Sequence, residues 1–289
     1  MEQTLDRLAS LVRDADAVMV GVGSGLSSAA GYNHYHWMTA LSDSLADFRD
    51  RYGFESPFAG FYHCYASPEE QWAYYARYIR ALWDAPTGQP YLDLQAILRG
   101  KDCFVLTTNV DMQCERVFPE EQVCRYQGSM GYLQCAQPCH DAIDTNYDRI
   151  VRMDEAARET LRVPRELLPR CPDCGRIMVP WVRDDTFLEG AAWQAGVDRY
   201  QTFLRRHLIE QPNSRVLLLE LGVGEMTPSI IKLPFWELTQ RNPQVTYACL
   251  NRAASSAPAQ MGERGLCLAG DLADTLSALR ATVDNGSRA

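Results

Sequence analysis

The chain contains little lysine and has no excess of positive charge. Lys101 and Lys232 are its only lysines, and its net charge is −9 over 289 residues, with a pI of about 5.1. Proteins that bind nucleic acids or anionic lipid surfaces concentrate basic residues on one face. The composition therefore gives no indication of a nucleic-acid or membrane partner, and the preference for arginine fits a bias in genomic composition.

Long apolar runs and targeting signals are also missing. No apolar run reaches the roughly 18 residues that a membrane-spanning helix requires. The first residues, MEQTLDRLASLVRDADAVMV, combine acidic residues with leucines near helical spacing, which is not the pattern of a signal peptide. We therefore expect a cytoplasmic protein. Its 46% hydrophobic and 22% charged residues suffice for one large globular domain, or for one domain with a small satellite.

The ten cysteines are not expected to form a disulfide framework, because the cytoplasm keeps thiols reduced. Four of them form two close pairs, Cys135 and Cys139 in QCAQPCH and Cys171 and Cys174 in CPDCG. Two close thiolate pairs on tight turns are typical of a tetrahedral structural Zn²⁺ site. The alternatives are a redox-active CxxC pair and replacement of one ligand by His140. The remaining cysteines fit positions of small buried hydrophobic residues.

Apolar runs that end in small or polar residues recur along the chain and alternate with helical patterns. This alternation is typical of an open parallel α/β sheet. The fold class we predict is α/β, a Rossmann-like sheet with an inserted zinc module and a helical insertion. The expected division is a Rossmann-like domain at 1–31, 100–127 and 210–289, a helical insertion at 32–99, a zinc-binding small domain at 128–190 and a connecting helix at 191–209.

Ligands bind at the carboxyl ends of the strands in such a sheet. Here those ends read GSGLS, TTNVD, GVG, LN and AGD. Glycine turns leave room for a pyrophosphate, and Asn or Asp can hold ribose hydroxyls. A dinucleotide is therefore the expected ligand. A glycine turn that serves only packing, or an Asn and an Asp that only cap a helix, would explain single strand ends but not all of them together.

The segment SPEEQWAYYARYIRALW is predicted to be a helix with Ser67 as its N-cap and acidic residues in its first turn. Its Trp and Tyr residues have the spacing of core residues, although such residues can also wall a channel for an acceptor. His34 and His36, in GYNHYHW, are expected to be solvated in an aromatic loop rather than to line a cleft.

These motifs together resemble those of the sirtuins, enzymes that break the nicotinamide–ribose bond of NAD. The match spans nearly the whole chain and comprises GSGLS, TTNVD, Gln127-Gly128-Ser129, the four paired cysteines, Gly222-Val223-Gly224 and Leu250-Asn251. The chain departs from the sirtuin pattern in three places. Thr108 replaces a glutamine, Gln127 replaces the catalytic histidine, and GYNHYH stands where the family has IPDFR.

Longer phrases resemble a subgroup, the macrodomain-linked class M sirtuins, which carry glutamine at the same position. The segments that carry this resemblance are FAGFYHCYASPEEQWAYYARYI, FVLTTNVD, RYQGSMGYLQCAQPCH and LELGVGEMTPSIIKLPFW. The subgroup is described as transferring ADP-ribose to a protein, so the resemblance implies an NAD-dependent protein ADP-ribosyltransferase with NAD as cosubstrate and a bound Zn²⁺. The acceptor it implies is a lipoylated glycine-cleavage H-like carrier, with a separate macrodomain hydrolase as a further partner. A protein-lysine deacylase and a weakly active NAD or ADP-ribose sensor are the alternatives.

The resemblance also assigns the site residues. Asn109 and Gln127 are the catalytic candidates, with Asn109 ordering ribose and water and Asp111 binding the nicotinamide carboxamide. The cofactor-binding candidates are Gly23, Ser24, Gly25, Leu26, Ser27, Asn109, Asp111, Gln127, Gly222, Val223, Gly224, Asn251 and Asp271. Histidine can take a proton from a ribose hydroxyl near neutral pH, as deacylation requires, and a glutamine amide cannot. Gln127 therefore favours transfer over deacylation.

Overall fold

The computed structural model describes residues 2–37, 40–145, 147–226, 228–253 and 257–286. Its strands are β1 (Ala17–Val22), β2 (Asp102–Thr107), β3 (Val123–Arg125), β4 (Gly128–Cys135), β5 (Met178–Val182), β6 (Val216–Leu221), β7 (Val245–Asn251) and β8 (Gly265–Ala269). Six strands form a parallel sheet in the order β3-β2-β1-β6-β7-β8. The predicted α/β sheet is therefore confirmed.

The two central strands create the crevice expected of this fold. Every residue of β1 and β6 is buried, since helices cover both faces of the sheet. From β1 the chain continues outward through β2 and β3, whereas β6 leads outward through β7 and β8 on the other side. This change of direction leaves a crevice at the carboxyl ends of β1 and β6, where ligands bind in such sheets.

The helices pack on both faces of the sheet and around the smaller module. They are α1 (Glu2–Asp14), α2 (Ser24–Ala29), α3 (Ala40–Ser44), α4 (Ala46–Tyr52), α5 (Pro57–Phe61), α6 (Pro68–Asp84), α7 (Gln89–Ile97), α8 (Gln113–Val117), α9 (Tyr147–Ala157), α10 (Ala191–Arg205), α11 (Lys232–Arg241) and α12 (Leu272–Gly286). Helices α1, α2, α7, α8 and α12 share one core with the sheet, while α10 and α11 cover the opposite face. Short 3-10 turns span Glu120–Gln122, Arg165–Leu167 and Ala259–Arg264, and a π turn at Arg206–Glu210 extends α10. Within the described ranges no helix combines the length and the apolar character needed to cross a membrane.

A second core joins the helical insertion to the cysteine-rich module. Strands β4 and β5 pair antiparallel and pack with α6 and α9. Helix α6 begins as predicted, because the Ser67 Oγ accepts a hydrogen bond from Glu70 N at 3.3 Å. Trp72 of α6 is fully buried, and its Nε1 donates to the carbonyl oxygen of Met178 in β5 at 3.0 Å. The interpretation of the aromatic residues of α6 as core residues is thus confirmed for Trp72.

Candidate active site

The glycine turns after β1 and β6 meet backbone to backbone. Gly23 N donates to Leu221 O, and Gly25 N donates to Gly222 O, both at 2.9 Å. A Cβ on Gly25 would lie 2.7 Å from Gly222 Cα, and Gly222 itself adopts a φ of 61°, which favours glycine. Side chains at these positions would push the turns apart. The two predicted cofactor-binding turns therefore form one continuous surface in the crevice.

The remaining strand ends contribute unequally to this surface. Asn251, at the end of β7, donates from Nδ2 to Val223 O at 3.0 Å and so holds the turn after β6. Asp271 is exposed, and its Oδ1 accepts hydrogen bonds from two N–H groups of the first turn of α12, at 2.8 and 3.2 Å. Leu26 is fully buried beneath the turn after β1. Asn251 thus lies against the glycine turns, whereas Asp271 caps a helix and Leu26 packs in the core.

Side-chain hydrogen bonds join the TTNVD loop to the turn after β1. The Nδ2 atom of Asn109 lies 3.0 Å from Gly23 O and 2.9 Å from Ser27 Oγ. The Ser27 hydroxyl in turn donates to Asp111 Oδ2. An amide, a hydroxyl and a carboxylate therefore form a chain of hydrogen bonds across two loops that the sequence separates by some eighty positions.

Asp111 has a buried carboxyl group that accepts hydrogen bonds. Its side chain is 1% exposed, and Oδ1 accepts a hydrogen bond from Gln113 N at 3.1 Å. Burial by itself raises the pKa of Asp111, but interaction with His34 and the hydrogen bond from Ser27 outweigh burial and lower that pKa. The negative charge of Asp111 is thus retained at neutral pH.

A cavity of ≈ 80 Å³ lies beside this network and contains the predicted catalytic positions. Its lining includes Ser24, Asn109 and Gln127 together with aromatic side chains of the helical insertion. The backbone oxygen of Gln127 accepts a hydrogen bond from Arg183 N at 3.1 Å. The next residue, Gly128, has a φ of 85°, and a Cβ there would lie 2.0 Å from the carbonyl oxygen of Trp181. Close contact with β5 therefore places Gln127 at the cavity.

A larger cleft, of ≈ 830 Å³, lies between α6, α9 and the end of α2. Its arginines are paired with a carboxylate, since Asp154 contacts Arg77, Arg80 and Arg158. None of the residues predicted for the site, all of which the structure describes, lines this cleft. The predicted catalytic residues therefore lie at the smaller cavity, beside the polar network.

The expectation that His34 is solvated is wrong. Its side chain is 13% exposed, Nδ1 is hydrogen-bonded to the hydroxyl of Tyr78, and Nε2 lies 3.9 Å from Asp111 Oδ2. His34 also lines the cavity, whereas His36 is exposed as expected. Local pattern does not separate the two histidines, because the difference arises where the loop folds against α6. Sequence reasoning therefore missed His34.

The four paired cysteines converge on one point. Their Sγ atoms are separated by 3.6 Å for Cys135 and Cys174, 3.9 Å for Cys135 and Cys139, and 3.5 Å for Cys139 and Cys171. A tetrahedral site with Zn–S bonds of about 2.3 Å requires sulfur separations of roughly 3.8 Å, so the four thiols fit Zn²⁺. His140 Nε2 lies 3.3 Å from Cys171 Sγ, at hydrogen-bond distance from this cluster.

The chain is similar in sequence and in fold to known proteins. No family model matches it. A Sir2 homologue solved in complex with NAD has a TM-score of 0.60 at 15% identity, covering 96% of this chain and 94% of that one, and so shares the fold. A protein ADP-ribosyltransferase of Staphylococcus aureus (strain Mu50 / ATCC 700699) is 31% identical over 274 residues, which are 93% of this chain and 85% of the relative. The chain belongs to the sirtuin-type protein ADP-ribosyltransferases.

A second relative of this sirtuin is longer. A probable bifunctional ADP-ribose hydrolase/ADP-ribosyltransferase of Fusarium oxysporum f. sp. cubense is 31% identical over 255 residues. The match covers 84% of this chain but 42% of that relative. Membership of the sirtuin family, which the motifs indicated, is thereby confirmed.

Proposed function

We propose that this sirtuin transfers ADP-ribose from NAD to a side chain of an acceptor protein and releases nicotinamide. The observation that carries the proposal is Gln127, which lines the same cavity as Asn109 and stands where sirtuins have their catalytic histidine. A glutamine amide has no basic nitrogen to take a proton from a ribose hydroxyl.

In this proposal the polar groups of the site hold and orient NAD. The turns Gly23–Gly25 and Gly222–Gly224 receive the pyrophosphate, and Asn251 lies near a ribose. Asn109 and Gln127 orient the nicotinamide ribose, while Asp111 accepts a hydrogen bond from the carboxamide. The single amide donor group of Asn109 already bridges the two loops, so the site is organised before the ligand arrives.

The bond between C1′ and the nicotinamide nitrogen breaks with its electron pair moving to the ring, which leaves as neutral nicotinamide. The positive charge that develops at C1′ is met by an acceptor oxygen that forms the new bond. A carboxylate acceptor needs no base, because its pKa is near ~4 and it is ionised at neutral pH. Positioning and electrostatics therefore suffice for transfer, although they do not suffice for deacylation.

The acceptor we propose is a lipoylated glycine-cleavage H-like carrier in the cytoplasm. Support comes from the resemblance of long segments to class M sirtuins. A macrodomain hydrolase is proposed as a further partner that removes the modification. The Fusarium relative supports this pairing, because its name combines an ADP-ribose hydrolase with an ADP-ribosyltransferase.

Structural Zn²⁺ is proposed for the cluster of Cys135, Cys139, Cys171 and Cys174. Four thiolates would close the tetrahedron and leave no position for a water, so the metal would organise the module without entering the reaction. Backbone N–H groups of Cys174 and Asp173 lower the pKa of the Cys171 thiol, which favours the thiolate that a metal binds.

The proposal is tested by incubating the protein with NAD and the lipoylated carrier, and separately with NAD and acyl-lysine peptides. We expect the carrier to gain the mass of ADP-ribose and the peptides to yield negligible O-acyl-ADP-ribose. Gln127→Ala should weaken transfer by a loss of roughly 1–3 kcal/mol in transition-state stabilisation, since an orienting hydrogen bond is removed. Gln240→Ala, at an exposed glutamine of α11, is the matched control.

Mass spectrometry of both reactions distinguishes the transferase from the two alternatives, a deacylase and a sensor. O-acyl-ADP-ribose from the peptides with no mass increase on the carrier would establish the deacylase. Binding of NAD without either product would establish the sensor.

A further inference from the structure

His34 is held firmly beside the proposed reaction centre. Its backbone oxygen accepts a hydrogen bond from Phe58 N at 2.8 Å, and the hydroxyl of Tyr78 in α6 is bonded to Nδ1. Asn33 Oδ1 accepts hydrogen bonds from the N–H groups of the two residues after His34, at 2.9 and 3.1 Å, which turns the loop. These contacts direct Nε2 toward Asp111.

His34 and Asp111 lie close enough to interact through charge whenever the imidazole is protonated. Nε2 and Oδ2 are 3.9 Å apart, beyond the roughly 2.7–3.2 Å of an N–H···O hydrogen bond but within range of a strong charge interaction. Ser27 donates to one oxygen of Asp111 and Gln113 N to the other. A carboxylate accepts about four hydrogen bonds, so Asp111 retains capacity for a ligand.

The surroundings of His34 tolerate both of its protonation states. The phenol of Tyr78 can donate to a neutral Nδ1 or accept from a protonated one, so its hydrogen bond to the ring is kept in both protonation states. Asp111, from the loop after β2, is the carboxylate that faces the ring. Among the described residues, the other titratable groups that line this cavity are phenols, from α6 (Tyr78), the loop of His34 (Tyr35) and the end of α5 (Tyr62), and burial raises the pKa of each. They stay neutral near pH 7.

We propose that His34 sets the affinity of the site for the positively charged nicotinamide ring of NAD, by neutralising Asp111 when it takes up a proton. The inference rests on the proposed function, in which this ring enters the cavity. With a neutral His34, the hydrogen bonds from Ser27 and Gln113 N still stabilise the charge of Asp111, which then attracts the pyridinium ring. With a protonated His34 the pair has no net charge, and that attraction is lost.

The test therefore compares two ligands, one with the charged nicotinamide ring and one without it. Histidine changes charge between about pH 5 and pH 8. NAD binding should weaken as the pH falls through this range. ADP-ribose contains the same pyrophosphate and riboses but no nicotinamide ring, so its affinity reports every other effect of pH on the site.

The experiment is calorimetric titration of the full chain with NAD and with ADP-ribose at about pH 8 and about pH 5.5. In the wild type we expect the ratio of NAD affinity to ADP-ribose affinity to fall about fivefold at the lower pH, or about 1 kcal/mol. His34→Gln keeps a hydrogen-bonding side chain that cannot be protonated, and its ratio should not change with pH. His36→Gln, at the exposed histidine of the same loop, should behave as the wild type does.

Three other outcomes would contradict the inference, and the measured affinities distinguish them. A wild-type ratio that is constant with pH overturns it without any variant. A ratio that falls equally in the wild type and in His34→Gln assigns the effect to another group and leaves the proposed function intact. Failure of the wild type to bind either ligand at both pH values would refute the proposed function itself, and this inference with it.

Discussion

Asn109 is one of the side chains that join the two loops of the site. Its Nδ2 lies within hydrogen-bond distance of Gly23 O, Ser27 Oγ and the hydroxyl of Tyr91, at 3.0, 2.9 and 3.2 Å. The residue is half-buried at the cavity and belongs to none of the apolar cores of the described residues. Asn109 therefore orders polar groups at the cavity and contributes little packing energy.

Asn109→Ala should lower nicotinamide release by about a hundredfold or more, the scale of removing a positioned polar group from a reaction centre. Its free energy of unfolding should fall by only about 1 kcal/mol per lost hydrogen bond. Asn242→Ala is the matched control, because Asn242 Nδ2 donates to a backbone oxygen of α11, Leu238 O, at 2.8 Å, away from the cavity. Urea unfolding and a nicotinamide assay measure the two effects. Near-normal turnover in Asn109→Ala would contradict the assignment of TTNVD to the reaction centre.

At the scale of elements, a buried ion pair connects β6 to α11. Glu220 is fully buried, and its Oε1 lies 2.7 Å from the Nζ of Lys232, while Oε2 accepts from the hydroxyl of Tyr247 at 2.8 Å. Burial acts to lower the pKa of Lys232, but hydrogen bonding and charge interaction with Glu220 outweigh burial and raise it. The pair holds the start of α11 against β6, at the two ends of the segment that contains Gly222–Gly224.

Removing one member of this pair should destabilise the fold more than removing both charges. Lys232→Met leaves a buried carboxylate alone and should cost roughly 3–5 kcal/mol of unfolding free energy. The double variant with Glu220→Gln should recover part of that loss. Lys101→Met should cost less than Lys232→Met, because Lys101 Nζ donates to backbone oxygens, including Ala15 O at 3.0 Å. A double-mutant cycle by urea unfolding in which the double variant is the least stable would contradict this account.

The raised pKa of Lys232 gives this stabilisation a pH dependence. The contribution of the pair is present below the ordinary lysine pKa of about 10.4 and is lost as the pH rises through the higher value of the folded state. The difference in stability between the wild type and Lys232→Met should therefore narrow above about pH 10.4.

At the scale of the molecule, the cysteine cluster and the cavity share one core. Cys135 and Cys171 belong to the same buried cluster as Trp72 and Tyr78 of α6. Tyr78 also holds His34 at the cavity. Unfolding of the cysteine-rich module should therefore disturb the cavity at His34, because α6 packs against both.

Freshly purified reduced protein should contain one Zn²⁺ per chain, because four thiolates complete a structural site. Stripping the metal with a chelator, or Cys171→Ser, should unfold the module, lower the solubility and weaken NAD binding. Cys64→Ser, at an exposed cysteine outside the cluster, is the control. Metal analysis and NAD titration measure these effects. Absence of zinc from the reduced protein, or unchanged NAD affinity in Cys171→Ser, would contradict the prediction.

Several features of the fold and the site could be predicted because they are local patterns. The strands β1, β2, β6, β7 and β8 are apolar runs, and the strand ends GSGLS, TTNVD and GVG meet wherever such strands lie parallel. The close cysteine pairs likewise indicated their cluster by spacing alone. Glycine at positions 25 and 222 reflects the close approach of two backbones, which leaves no room for a Cβ.

The sequence by itself therefore determined the class of fold, the edge of the sheet at which the polar strand ends meet, and the glutamine at position 127, where the resemblance to sirtuins implies a histidine. Only the tertiary structure decided which of the remaining polar residues serve the site. It placed His34 against Asp111 while His36 stayed exposed, and it used Asp271 to cap a helix while Asn251 holds a glycine turn. The physical reason is that these roles depend on contacts between residues far apart in the chain, and the local periodicity of a sequence does not predict such contacts.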